Sequence, residues 1–223
     1  MGRQEADSMK QDSRDRILQT ATALFAEKGY DSVSLRDITA AAGVNISMIS
    51  YYFGSKKGLY DAALAAQLSE LSSLLSMDAD AMDPRTLVRE YAERAIRAHE
   101  KNPHLLKYIF RALLSPSAAQ TGLFEAAVSR IYDLLDHALT RGVQEGLFRP
   151  DLDVPSAVLL LAGTVNFHYI STPVRDRIAA EKRVLPDERT YVSHAVEVFL
   201  RGIEKPNPRD AETPSPASAD ADF

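Results

Sequence analysis

Cysteine is absent from this 223-residue chain. Disulfides, thiolate chemistry and cysteine-based zinc sites are therefore excluded. An excess of positive charge is missing too. The formal net charge is −5, unlike the strongly basic balance of a protein that coats nucleic acid. Much of that deficit sits at one end. Residues 206–223 set Arg209 against Asp210, Glu212, Asp220 and Asp222, which leaves the remainder close to neutral. Long hydrophobic runs are also lacking. The longest, AVLLLAGTV at 157–165, is far too short to span a bilayer, so no membrane partner is expected. The opening MGRQEADSMKQDSRD is polar throughout, so no signal peptide is read and a cytoplasmic location is the default expectation.

Motifs of chemistry are missing as well. The chain holds no G-x-S-x-G, no G-x-G-x-x-G and no Walker-type loop. His99, His104, His137, His168 and His194 never fall at H-x-x-x-H or H-E-x-x-H spacing. No catalytic residue, metal ligand or cofactor is assigned, and an enzyme is not expected. Strand-like alternation and internal repeats are not seen either.

What remains is helix after helix, and one stretch stands out: SLRDITAAAGVNISMISYYFGSK at 34–56. Ser34 can cap a helix start, with acidic Asp37 three residues on. Leu35, Ile38 and Ala42 share a face at helical spacing. Gly43 suits the left-handed C-terminal cap, and Asn45 is a second N-cap. Ile46, Ile49 and Phe53 then recur at steps of three and four, so all three are expected to point inward. The opposite face centres on Ser47, Met48 and Tyr51, with Tyr52 and Asn45 beside it. Ser55 can cap a third helix that carries Lys56 and Lys57 in its first turn, the less favourable end for cations. Two short helices around a glycine turn, with hydroxyl-bearing and aromatic side chains facing out, form a helix-turn-helix suited to the major groove of double-stranded DNA.

These residues also carry a resemblance. From Arg14 to Tyr60 the order is an amphipathic first helix, F-x-x-K-G-Y, a Ser-capped second helix, A-G-V, a helix ending Y-Y-F, and S-K. That order resembles the DNA-binding domain of the tetracycline-repressor (TetR) family. N-I-S-M-I-S-Y-Y-F-G-S-K, with L-L-S-P-S-A further on, is similar to the branch of CecR-type regulators. The resemblance implies a phosphate contact for Ser34, a base edge within reach of Arg36, and the groove for Ser47, Met48 and Tyr51. It implies phosphate for Tyr52 and the DNA backbone for Lys56. Asn45 completes the set. Ile46 stands where several family members carry a polar base reader. Its inward phase excludes it from the expected contacts.

Beyond residue 60, helices are expected at 55–76, 84–102, 104–114, from 117 or 120 to 145, at 154–170 and at 187–202, with a short one possible within RDRIAAEKR. The first helix is expected at 13–28. Four segments follow: a flexible extension at 1–12, a helix-turn-helix domain at 13–60, a C-terminal domain at 61–205, and a disordered Pro/Ser/Ala tail at 206–223. The fold class is all-α, a three-helix DNA-binding domain on a larger helical domain.

In the resembled family the second domain dimerises and binds an effector. Two faces are candidates for a homodimer interface, Ala157, Leu160, Leu161 and Thr164 on one helix and Tyr191, Val192, Ala195, Val198 and Phe199 on another. Helices around 84–170 carry Tyr91, Tyr108, Phe110, Phe124, Tyr132, Phe167 and Tyr169; a pocket for a small apolar or aromatic effector is expected to be lined by some of these, chiefly Tyr91, Tyr108, Phe124, Tyr132 and Phe167, with Arg111, Asn166 and His168 as polar handles. The expected function is a homodimeric regulator, a repressor that leaves a pseudo-palindromic operator when the effector binds. Two alternatives stay open. One is a ligand-independent dimeric DNA-binding protein. The other is a helical small-molecule-binding protein or enzyme with a relic helix-turn-helix.

Overall fold

The structure, a computed structural model, describes residues 2–114, 122–181 and 184–205. The first helix, α1 (Gly2–Lys28), is followed by α2 (Leu35–Ala42), α3 (Ile46–Phe53) and α4 (Lys56–Leu68). Their apolar stripes close one core. Ile17, Ala21 and Phe25 of α1 meet Ile38 and Ala42 of α2, Ile49 of α3, and Leu59, Ala63 and Leu64 of α4. Phe25 and Tyr60 pack edge to face with ring centroids 5.2 Å apart. Each large side chain in this core contributes roughly 1.5–3 kcal/mol by leaving water.

Two boundaries differ from the sequence expectation. The first helix starts at Gly2, so the segment expected as a separate extension continues α1 from its second residue. Residues 3–11, RQEADSMKQ, are mostly good helix formers, and adding them to an existing helix avoids a new nucleus. The helix expected at 55–76 breaks after Leu68 into a 3₁₀ turn (Ser69–Leu71) and a short α5 (Ser72–Leu75). Ser69 Oγ donates to the Ala66 carbonyl at 2.7 Å, and such serine back-bonding competes with the regular ladder.

The second core lies among α6 (Pro84–Lys101), α8 (Gly122–Gln144), α9 (Val154–Ile170) and α11 (Glu188–Ile203). Leu87, Val88, Ile96, Leu135, Leu139, Leu161, Val196 and Leu200 form its centre. Asp83 caps α6, Asp153 caps α9 and Asp187 caps α11, with proline in the first turn of the first two. A short α10 (Thr172–Ala180) follows α9. No single helix among the described residues is long and apolar enough to cross a membrane.

Helix α7 (Leu105–Leu114) joins the two cores. Leu105 belongs to the C-terminal core, Tyr108 to the N-terminal one, and Ile109 packs against both. Phe124 of α8 also enters the N-terminal core. The acidic tail at 206–223 and the expected helix start at 117 or 120 lie outside the described residues.

Candidate nucleic-acid interface

Local capping chemistry builds the α2–α3 turn. Ser34 Oγ accepts from the Asp37 amide at 3.1 Å, and the Asp37 carboxylate accepts from the Ser34 amide at 2.8 Å and the Ser34 hydroxyl at 2.6 Å. These bonds to Ser34, hydroxyl first and amide second, hold the Asp37 carboxyl below its ordinary range. Gly43 ends α2 at φ 64°, a left-handed conformation that a Cβ disfavours. Asn45 then opens α3, its Oδ1 accepting from the Ser47 amide and the Ser47 hydroxyl at 2.9 Å each. Ser55 caps α4 by accepting from the Gly58 amide at 3.0 Å. A Cβ at Gly58 would run into the Phe53 carbonyl, so this glycine lets α4 sit close under the end of α3.

The face so held out is mixed in exposure. Tyr51 is 73% exposed and meets Tyr52 edge to face at 4.9 Å. Arg36, Asn45 and Ser47 are exposed, while Met48 and Tyr52 are half-buried against the N-terminal core. Ile46 corrects the sequence reading, because it is 47% exposed rather than inward. It lies roughly 60° round the helix from Ile49, at the margin of the buried stripe, and it is the first residue of α3. Lys56 places its ammonium 4.4 Å from the Tyr30 ring centroid, whereas Lys57 bonds Asp61 at 2.9 Å. Tyr30 thus joins the site as a support that periodicity alone does not single out.

The eight residues expected to line an effector pocket do not come together. Tyr91 is buried in the C-terminal core, and burial pushes its hydroxyl up to about 12. Tyr108 donates to the Thr22 carbonyl at 3.3 Å. Arg111 donates to the Ala26 carbonyl at 2.9 Å and also to the Glu27 carbonyl. Both therefore grip the end of α1, and Phe124 fills the core beside them. Tyr132 packs at the edge of the C-terminal core, and Phe167 faces outward at 57% exposure. His168 is buried with Nε2 2.8 Å from Arg175, and desolvation, then that guanidinium, holds its pKa down. Asn166 Oδ1 accepts from His99 Nε2 at 3.1 Å.

A cleft of about 600 Å³ lies instead where the C-terminal ends of α6 and α9 meet α7 and α10. His99, Leu106, Lys107, Phe110, Tyr169 and Ile170 line it, with Asn102-Pro103 and Thr172-Pro173 at its edges. The sequence holds one signal for it. Asn102-Pro103 and Thr172-Pro173 each mark the end of a helix, with His99 and Tyr169 just before those ends.

The expected dimer faces split in two. Ala157, Leu161 and Val192 are already covered within one protomer, and the Tyr191 hydroxyl donates to the Thr164 carbonyl at 3.4 Å. These belong to the internal core, because α9 and α11 first pack on each other. Ala195 and Phe199 are half-buried. Leu160 and Val198 remain outside at 64% and 57% exposure, beside a groove of about 390 Å³ that Phe199 also lines.

A capped helix-turn-helix on an all-helical second domain defines a DNA-binding transcriptional regulator rather than an enzyme. Residues 17–63 match the model of the bacterial regulatory proteins of the tetR family. The transcriptional repressor NicS of Pseudomonas putida is 26% identical over 203 residues, covering 86% of this chain and 93% of the relative. The dual regulator CecR of Shigella flexneri is 31% identical over 137 residues, 55% of this chain and 61% of the relative. The solved structure of the TetR family regulator PfmR from Thermus thermophilus superposes with a TM-score of 0.64 at 26% identity, covering 86% of this chain and 98% of that one. Residues 17–63 therefore carry a TetR-family DNA-binding domain, and the chain as a whole is similar to regulators of that family.

Proposed function

We propose that the chain is a homodimeric repressor that leaves a pseudo-palindromic operator when a small apolar or aromatic effector enters the cleft beside α7. One observation carries the reading. Helix α7 presents Leu106, Lys107 and Phe110 to the cleft and, from its other side, grips α1 of the helix-turn-helix through Tyr108 and Arg111. An occupant that moves α7 or the adjoining α4 therefore reorients α3. In the dimer, two α3 helices enter successive major grooves about 34–36 Å apart. Effector binding changes that separation, and operator affinity falls by the free energy that couples the sites.

On DNA, Tyr51, Ser47, Met48 and Asn45 face the groove, Arg36 reaches a base edge, and Ser34, Tyr52 and Lys56 hold phosphates. The exposed Ile46 adds an apolar contact suited to a thymine methyl. The exposed apolar residues on α9 and α11 support the dimer. The direct test is selection of genomic fragments by the purified protein at physiological salt. One enriched pseudo-palindrome is expected. Recovery of sequence-independent, salt-sensitive binding alone would sink the specific-regulator reading.

A further inference from the structure

We propose that the cleft takes a flat organic acid, an aromatic body bearing one carboxylate, with Lys107 as its counter-charge. This deepens the effector reading above and rests on it. Size comes first. A volume of about 600 Å³ suits a drug-sized organic molecule rather than a chain or a lone ion. The walls decide the body of the ligand. Leu106, Phe110, Ile170 and Pro173 are apolar, and the rings of Phe110 and Tyr169 offer flat faces. The Tyr169 ring lies 3.8 Å, centroid to centroid, from the ring of His99, which fixes that wall.

Charge decides the rest. Among the described residues that line the cleft, Lys107 carries the only formal charge, since no carboxylate lines it. His99 is buried and bonded to the Asn166 amide oxygen, and desolvation holds it neutral, with a pKa of about 4. Lys107 itself has no ion pair among the described residues. A cationic ligand would meet this ammonium with nothing to offset it, whereas a carboxylate would complete a charge-assisted bond.

Calorimetric titration of the full chain with three probes that share one aromatic body tests this. They are naphthalene-2-carboxylate, naphthalene-2-carboxamide and naphthalen-2-ylmethylammonium. The carboxylate is expected to bind about tenfold or more tightly than the carboxamide, with the ammonium weakest. Lys107→Met keeps the aliphatic stem and should erase that preference while leaving carboxamide affinity within about twofold. Ile170→Trp, at a surface-accessible wall position, should weaken carboxylate and carboxamide alike. Equal binding of acid and amide, tighter binding of the ammonium, an acid preference that survives Lys107→Met, or no binding of any probe up to millimolar concentration would overturn the proposal. Operator affinity measured on the same samples separates the two readings. Lys107-dependent acid binding with unchanged operator affinity keeps the ligand class and removes effector release. Release by a compound that binds without Lys107 does the reverse.

Discussion

Ser34 and Ser47 each have one hydroxyl proton, and both protons are committed within the protein, to Asp37 and Asn45. A phosphate accepts and cannot donate, so either serine must exchange an internal partner to hold DNA by its hydroxyl. The polar side chains on this face that make no internal hydrogen bond are Arg36, Tyr51, Tyr52 and Lys56, the last resting its ammonium on the Tyr30 ring. Tyr51→Ala is therefore expected to cost about tenfold on the operator and much less on random DNA. Lys56→Ala should weaken both DNAs alike and reduce the salt slope by about one, because it removes a phosphate contact. Anisotropy titrations at several salt concentrations read both effects. An equal loss on both DNAs for Tyr51→Ala would contradict its role. His99 sets a pH dependence of a different kind. Its folded pKa of about 4 lies below the ordinary 6.5, so the unfolded chain binds more protons between those values. Stability is full above about pH 6.5 and declines as pH falls towards 4, by something on the order of 3 kcal/mol. Urea midpoints measured from pH 7 to 4 should show that decline, and His99→Gln should flatten it.

At the scale of elements, α7 couples the two halves of the molecule through backbone carbonyls rather than through apolar contact alone. Arg111 satisfies carbonyls at the end of α1 that have no partner within the helix. Arg111→Gln is expected to lower stability by about 1–3 kcal/mol, the value of a charge-assisted bond with its acceptor left behind. It should leave binding in the cleft intact while reducing the effect of occupancy on operator affinity. Unchanged coupling in this variant would show that α4 alone carries the signal. The caps of α2, α3 and α4 are legible in the sequence, because a cap is a contact between residues three or fewer apart. Arg111 and Tyr108 are not, since their partners in α1 lie more than eighty positions away. Read as amphipathic residues of one helix, they look like pocket lining. Ile46 was misread for a related reason. Periodicity fixes angles round a helix, but the packing of α3 against α1, α2 and α4 decides where the buried stripe ends. The cleft is legible only in part: Phe110 and Tyr169 stand among the candidate aromatics, but its walls come from the ends of separate helices, and its two prolines mark only where each helix stops.

At the scale of the whole molecule, α9 is out of balance. One face, Ala157, Val158, Leu161, Val165 and His168, is buried against the protomer's own core. Another still presents Leu159, Leu160 and Phe167, and α11 adds Val198 nearby. A helix that is apolar on nearly every face is expected to be covered on nearly every face. A second copy of the chain would cover it in an isologous contact, in which each protomer offers the same patch. The consequence for DNA is large, because one recognition helix on one half-site binds weakly and the paired half-sites act together. Leu160→Asp combined with Val198→Asp tests this with little risk to the fold, since both side chains are mostly exposed in the single protomer. Sedimentation should give half the mass of the wild type, with helix content and the His99-linked pH profile unchanged. Operator affinity should fall about a hundredfold or more, while binding to random DNA keeps its salt slope per protomer. A double variant that stays dimeric would move the interface off α9 and α11. A monomeric variant that still binds the full operator as tightly as the wild type would show instead that the two half-sites are read independently.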